Sequence, residues 1–231
     1  MGYYYYYDIY YIVLVLPMVI FSLIASVKVK SAFKKYSGVH SIRGLTGAQA
    51  ASEVLRFYGI NDVRIEHVSG ELTDHYDPKA NVIRLSDKVY NSTSVASIGV
   101  ACHEAGHAAQ YAQGYVPVKL RSVIYPACSV GSKIGIPMAI LGLIFSFNFL
   151  VTLGIAFFGL AVFFQLVTLP VEFNASRRAV KVIDEMGILQ TEELKGTKKV
   201  LTAAALTYVA SLAVSVANLL RLILLANRRR R

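Results

Sequence analysis

The sequence predicts a mainly α-helical membrane protein that carries a smaller α+β part outside the lipid. Of its 231 residues, 55% are hydrophobic, and the mean hydropathy of +0.49 exceeds that of a typical soluble domain. The apolar residues gather in long runs, whereas residues 37–120 are charged, contain turns and have no such run. Strand-forming residues within this middle part favour a small antiparallel sheet.

The charge and cysteine content limit the partners of the chain. The formal net charge is +10, and the basic residues cluster beside the apolar runs and in the Arg228 to Arg231 tail. Such clusters suit the anionic cytoplasmic face of a lipid bilayer, and no nucleic-acid partner is expected. The two cysteines, Cys102 and Cys128, do not form a disulfide framework, which is compatible with a reducing compartment.

Residues 1–30 are predicted to form an N-terminal transmembrane helix. Tyrosines precede an apolar run over residues 9–27, and a run of about 19 residues can cross the hydrocarbon layer. Asp8, and no basic residue, precedes the run, which argues against a cleaved signal peptide. Lysines follow it at 28, 30, 34 and 35. The positive-inside rule therefore places the N-terminus outside and residues 31–120 in the cytoplasm.

Residues 31–120 are expected to form the catalytic part. A helix is predicted from Thr46, which caps it, to Tyr58, before Gly59. Strand-forming residues follow near Val63 and over residues 81–86, with a turn at Asp77 and Pro78. The strand over residues 81–86 either lies within an ordinary small sheet or presents an exposed edge to an extended peptide.

A metal-binding motif lies within the predicted helix over residues 94–112. His103, Glu104 and His107 read HExxH, and histidines four residues apart project from one helix face. They suit two positions of a zinc site that keeps one position open for water, with Glu104 as the general base. The alternative is a pair of satisfied core histidines. Burial in this small-residue helix favours the metal, because an unpaired charge there is costly.

The remaining chain is divided into three parts. Residues 121–169 contain two apolar runs joined by the uncharged residues 146–148, and are predicted to form a transmembrane hairpin. Residues 170–200 are expected to form a helix followed by a surface loop or short helix. Residues 201–231 form a last apolar helix and the basic tail; this helix either crosses the membrane or packs on the catalytic part and then lies on the membrane surface.

A third metal ligand is expected after the motif. The metzincin pattern HExxHxxGxxH fails, because Gln110 and Gln113 occupy its later positions. The downstream carboxylates are Glu172, Asp184, Glu185, Glu192 and Glu193. Glu172 is favoured, since it shares a small, apolar helix face on which an acid needs a partner, whereas the others are interpreted as a solvated surface.

Four stretches carry a family resemblance. They are LTDHYDPKANVIRLS, HEAGHAAQ, LPVEFNASRRA and LTAAALTYVA, beginning at Leu72, His103, Leu169 and Leu201. Together they resemble the YugP-like neutral zinc metallopeptidases, which are bacterial membrane proteins. The Glu172 segment is more distantly similar to HtpX-like and CAAX-prenyl membrane proteases, in which a glutamate is the third zinc ligand. Those proteases carry an acid where this chain has Ser176, so the group that supports a ligand histidine is expected to differ here.

The sequence thus leads us to expect a multi-pass, membrane-anchored zinc endopeptidase with a gluzincin-like fold, active on the cytoplasmic side. Its substrate is expected to be a peptide or a membrane protein, and nothing indicates an oligomeric state. His75 and Tyr208 are candidate donors to the oxyanion formed during peptide hydrolysis. The alternatives are an intramembrane zinc protease and a non-catalytic metal-binding scaffold.

Overall fold

The computed structural model describes residues 8–229, so the tyrosines at 3–7 and the last two arginines lie outside the described residues. A short π-helical stretch, Tyr11–Val15, leads into the first helix. The elements that follow are α1 (Leu16–Ser37), α2 (Gly47–Phe57), β1 (Arg64–Val68), β2 (His75–Asp77), β3 (Val82–Ser86), α3 (Val95–Ala112), α4 (Val116–Ile144), α5 (Asn148–Glu185) and α6 (Thr191–Arg229).

Four of these helical segments are long and apolar enough to cross a membrane, within the described residues. They are Tyr11–Ser37, Val116–Ile144, Asn148–Glu185 and Thr191–Arg228. The last segment includes the apolar run whose path the sequence leaves open. The chain divides into two compact units. Unit 1 holds residues 8–26, 121–167 and 207–229, and unit 2 holds Val27–Leu120 and Thr168–Leu206.

Unit 1 is built on the predicted hairpin of α4 and α5, which packs through small residues. A Cβ added at Gly154 would lie 2.4 Å from the backbone nitrogen of Ala139, and one added at Gly131 would lie 2.5 Å from the carbonyl oxygen of Phe157. Without side chains at these positions the two backbones approach closely, as is common between membrane helices.

An ion pair in unit 1 accounts for the charge that interrupts the last apolar run. Arg221 Nε donates to Asp8 Oδ2 at 2.6 Å, and its guanidinium lies 5.4 Å from the ring centre of Tyr11. Asp8 precedes the first span, so Arg221 lies beside the N-terminal end of that span. A charge in an apolar helix is tolerated where a partner neutralises it.

The core of unit 2 joins α2 and α3 to the C-terminal part of α5 and the first turns of α6. Val54, Ile98, Ile183 and Ile188 are among its fully buried side chains. The predicted caps are confirmed: Thr46 and Gln49 form a capping box on α2, and Gly59 follows that helix with φ +69°. Fixing the ends of α2 in this way holds it against the helix that carries the HExxH motif.

The small sheet is mixed, so the prediction of an antiparallel sheet is wrong in part. Its strand order is β1-β3-β2, with β3 parallel to β1 and antiparallel to β2. The connection over residues 69–74 leaves space beside β1, so that β2 and β1 lie on opposite sides of β3. Of the two alternatives for the strand over residues 81–86, the structure supports the ordinary small sheet, because β3 is paired on both sides and offers no exposed edge. The edges belong to β1 and β2.

The helices α5 and α6 extend further than the sequence indicates. The second arm of the hairpin and the Glu172 segment form one continuous helix, and α6 begins at Thr191 within the predicted loop region. Glu193, interpreted from sequence as solvated, is buried. Its carboxylate accepts from the backbone N–H of Gln190, at the start of α6, and from that of Ile42. These hydrogen bonds satisfy the buried charge.

Candidate metal centre

The close approach of α3 and α5 in unit 2 builds the site. A Cβ added at Gly106, in the middle of the HExxH motif, would lie 2.6 Å from the carbonyl oxygen of Ala175 on α5. Ala175 and Ala179 are fully buried at this contact. Only glycine allows the two backbones to come this close, and the approach brings Glu172 to the two motif histidines.

Three side chains converge between these helices. Glu172 Oε2 lies 3.3 Å from Nε2 of His103 and 3.5 Å from Nε2 of His107. All three ligand atoms lie within 4.8 Å of one another. In a tetrahedral site with ligands at about 2.1 Å, two ligand atoms lie about 3.4 Å apart. The separations and the donor types, two imidazole nitrogens and a carboxylate oxygen, therefore fit one zinc ion.

The surroundings of these groups favour a positive charge between them. Glu172 is 3% exposed and Glu104 is 9% exposed. Burial by itself lowers the pKa of His107, but the hydrogen bond to Glu172 and the charges of Glu104 and Glu172 outweigh it and raise this pKa. Two carboxylates held away from water beside an imidazole stabilise a proton or a metal cation at this point.

Each histidine has a partner on its other ring nitrogen. Ser176 Oγ lies 3.0 Å from Nδ1 of His103, and Gln110 Oε1 lies 3.0 Å from Nδ1 of His107. Ser176, on α5, thus supports His103 from the helix that also carries Glu172. Contacts of this kind fix the orientation of an imidazole and leave its Nε2 directed at the ligand position.

Glu104 projects from α3 toward the edge strand. Its Oε2 accepts a hydrogen bond from the backbone N–H of Tyr76 at 3.0 Å. Tyr76 lies on β2, and its ring also packs against Tyr111 of α3, with ring centres 5.6 Å apart. The carboxylate is therefore held by the sheet, and it does not belong to the group of three converging ligand atoms.

His75 and Tyr208 are not members of the group of three converging ligands. His75 is exposed on β2, with Nδ1 2.7 Å from the carbonyl oxygen of Thr73 and Nε2 3.4 Å from a nitrogen of Arg84. Tyr208 lies on the part of α6 that belongs to unit 1. The oxyanion role of both residues stays a prediction. Cys102 is fully buried, and burial raises the pKa of its thiol, which disfavours the thiolate that would bind a metal.

The comparisons with known proteins agree with this picture. The family described as "Putative neutral zinc metallopeptidase" matches residues 11–227. A protein of Bacillus subtilis (strain 168), described as "Putative membrane protease YugP", is 49% identical over 203 residues, which cover 87% of this chain and 89% of that protein. The chain belongs to the neutral zinc metallopeptidase family. No solved structure gives a significant match.

Membership in the neutral zinc metallopeptidase family supports a protease-like function for the chain. The four apolar helices agree with the description of the relative as a membrane protease. The family description also indicates zinc as the cofactor, and the group formed by His103, His107 and Glu172 is the place in the described structure where such an ion fits.

Sequence reasoning missed several residues that contact the site. In the sequence, Gln110 stands out only as a residue that breaks the metzincin pattern. Its spacing of three from His107 puts both on one helix face, which is a signal that could have found it. Asn174 and the backbone of Tyr76 gave no such signal, since their contacts join elements distant in sequence.

Proposed function

We propose that the chain is a membrane-anchored zinc endopeptidase of the gluzincin type, with Glu104 as its general base. The observation that carries the proposal is the convergence of three ligand atoms, one each from His103, His107 and Glu172, within 4.8 Å on two packed helices. The donor set and spacing match a catalytic zinc site, in which three protein ligands leave one position open.

The three ligands would bind the ion through two types of donor atom. His103 and His107 supply neutral imidazole nitrogens from α3, and Glu172 supplies a negative charge from α5. A zinc ion bound by these three residues would lower the pKa of a water molecule to about 7 and would polarise the carbonyl of the scissile peptide bond. The buried position of Glu172 strengthens its attraction for the cation, because little water screens it.

Glu104 performs the proton transfers in this proposal. Its carboxylate takes a proton from the attacking water and passes it to the amine that leaves. The hydrogen bond from the N–H of Tyr76 to Oε2 fixes one oxygen of the carboxylate. The backbone of β2 then fixes the position of the base, so the Glu104 carboxylate is already oriented before each turnover.

The position of β2 at the edge of the sheet suggests how a substrate is held. An extended peptide that adds to this sheet near Glu104 would meet β2, since β3 is already paired on both sides. Pairing through backbone groups tolerates varied side chains, which suits an endopeptidase. The charge distribution around the first span favours a cytoplasmic active site, with peptides or membrane proteins as substrates.

Chelator-sensitive proteolysis by the purified full-length chain tests this function. Wild type and a Glu104→Gln variant are compared in one detergent, on casein and on a transmembrane substrate. We expect wild type to cleave casein and lose this activity with chelator. The Gln variant should keep its zinc but lose cleavage, because an amide cannot accept the proton.

The control and the substrates separate the alternatives. A Glu192→Gln variant changes an exposed carboxylate paired with Lys195, and should retain full activity. Full activity in Glu104→Gln would eliminate Glu104 as the base. Cleavage of the transmembrane substrate alone would favour an intramembrane protease, and a stable zinc content without any cleavage would favour a scaffold.

A further inference from the structure

A chain of hydrogen bonds runs from the second motif histidine, His107, to the half-buried Arg178, entirely within unit 2. Gln110, which is fully buried, contacts Nδ1 of His107 through Oε1. Its Nε2 donates to the carbonyl oxygen of Val171 at 2.7 Å and to Oδ1 of Asn174 at 3.0 Å. Arg178 Nε donates to the same Oδ1 at 2.7 Å.

The chemistry of these groups fixes the direction of every hydrogen bond. A guanidinium only donates, so the atom of Asn174 that faces Arg178 must be oxygen. A backbone carbonyl only accepts, so the atom of Gln110 that faces Val171 must be nitrogen. The oxygen of Gln110 is then left for His107, which must carry a proton on Nδ1. The Nε2 of a neutral His107 consequently presents a lone pair toward Glu172.

We infer that Gln110, Asn174 and Arg178 form a positioning relay that holds His107 in the tautomer able to bind a metal. The inference rests on the proposed zinc site, since a relay of this kind has no catalytic meaning without an ion. The three are positioning residues that act through His107. Ser176, the partner of His103, differs because a hydroxyl either donates or accepts, and so does not select a tautomer.

The relay includes both glutamines, Gln110 and Gln113, that stand at the later positions of the metzincin pattern. Arg178 donates a second hydrogen bond to the side chain of Gln113, and its guanidinium lies 5.7 Å from the ring centre of Tyr58. Both glutamines therefore belong to one network, with Gln113 anchoring its outer end. These contacts hold Arg178 against α3 and align Nε with Asn174.

Paired variants of Asn174 test the relay in the full-length protein. Asn174→Asp keeps an oxygen acceptor for Gln110 and Arg178, whereas Asn174→Leu removes it. Gln110→Leu removes the contact with His107 itself. Zinc affinity is measured by competition with a chromophoric chelator. The visible spectrum of the Co²⁺-loaded protein reports the coordination geometry without any need for turnover.

We expect Gln110→Leu to lose zinc affinity about 10- to 100-fold and to show an altered Co²⁺ spectrum. Asn174→Leu should lose affinity in the same direction but by less, because the carbonyl of Val171 still accepts from the amide of Gln110. Asn174→Asp should stay within about threefold of wild type, because the relay is intact. Gln165→Leu is a matched control, since this amide donates to Ser215 in unit 1. Its affinity and spectrum should equal those of wild type.

The outcomes separate the relay from the metal site. If folded leucine variants bind zinc as wild type does, or if Asn174→Asp loses as much affinity as Asn174→Leu, the relay is wrong. Should Gln110→Leu not fold, the Asn174 pair still decides. If wild type binds no zinc, or if Glu172→Ala binds as much zinc as wild type, the proposed function fails. The relay then fails with it.

Discussion

Gly106 lies directly against Ala175, so that the HExxH helix and the helix of Glu172 touch through their backbones. A Cβ added at Gly106 would be 2.6 Å from the carbonyl oxygen of Ala175. The neighbour at this contact is backbone and cannot move aside as a flexible side chain would. The ligand geometry therefore depends on the absence of a single methyl group.

We expect Gly106→Ala to lower the stability of the protein by about 1–3 kcal/mol, because overpacking forces the helices apart. Separation also moves Glu172 away from the histidines, so zinc affinity should fall. Thermal unfolding and zinc titration measure the two effects. Gly159→Ala is the control, since a Cβ there meets nothing within 4 Å; its melting temperature should be unchanged or higher. Wild-type stability and affinity in Gly106→Ala would contradict the contact.

Replacement of Glu172 by Ala should remove most of the bound zinc. Ligands that bind only the folded state stabilise it, by roughly 2.7 kcal/mol at 100 times their dissociation constant. Chelator should therefore lower the melting temperature of wild type but leave that of Glu172→Ala unchanged. Metal analysis and thermal scans in the same detergent test this. An unchanged zinc content in the variant would mean that another group is the third ligand.

The hydrogen bond from Tyr76 to Glu104 can be removed without touching the ligands. Tyr76→Pro lacks the backbone N–H, whereas Tyr76→Ala keeps it and loses only the ring. A hydrogen bond to a charged group contributes about 1.5–3 kcal/mol. We expect kcat to be roughly 10- to 100-fold lower in the proline variant than in the alanine variant. Zinc content should be equal in both, and equal kcat values would show that β2 does not position the base.

The pairing of Arg221 with Asp8 predicts the path of the last helix. Asp8 precedes the first span, at the end that the charge distribution predicts to lie outside the cell. Because Arg221 Nε lies 2.6 Å from Asp8, α6 should cross the membrane and bring the C-terminus outside.

Reporter fusions check this path. Alkaline phosphatase fused after Arg231 should be active, since it folds only outside the cytoplasm, and the same enzyme fused after Gly59 should be inactive. A fluorescent GFP at the C-terminus would show that α6 lies on the inner surface of the membrane.

The sequence predicted the elements whose signals are local. The small-residue run beginning after Ser94 became α3, and Thr46 capped α2 as expected. The turn between α4 and α5 lies at residues 145–147, one residue before the predicted connector at 146–148. The spacing of His103 and His107 likewise put both imidazoles on one helix face. Such features depend on neighbours within about one helical turn, so they can be predicted from the local sequence.

Sequence reasoning failed where a residue depends on a distant partner. Nothing near Glu193 indicates that its carboxylate would be buried against the N–H of Ile42. Strand-forming residues gave the position of β3 but neither its central place in the sheet nor its parallel pairing with β1. These outcomes depend on contacts between segments that are far apart in the sequence, and the local hydrophobic pattern does not indicate such contacts.

The sequence by itself determined the membrane-embedded character of this protein, the HExxH helix and the choice of Glu172 as the favoured third ligand. Only the tertiary structure decided that Glu172 Oε2 lies 3.3 Å from His103, that Tyr76 holds Glu104, and that Gln110 and Ser176 support the two imidazoles. The reason is physical. Local propensities form each helix, but the convergence of groups separated by more than 60 residues requires α3 and α5 to pack together, as Gly106 allows.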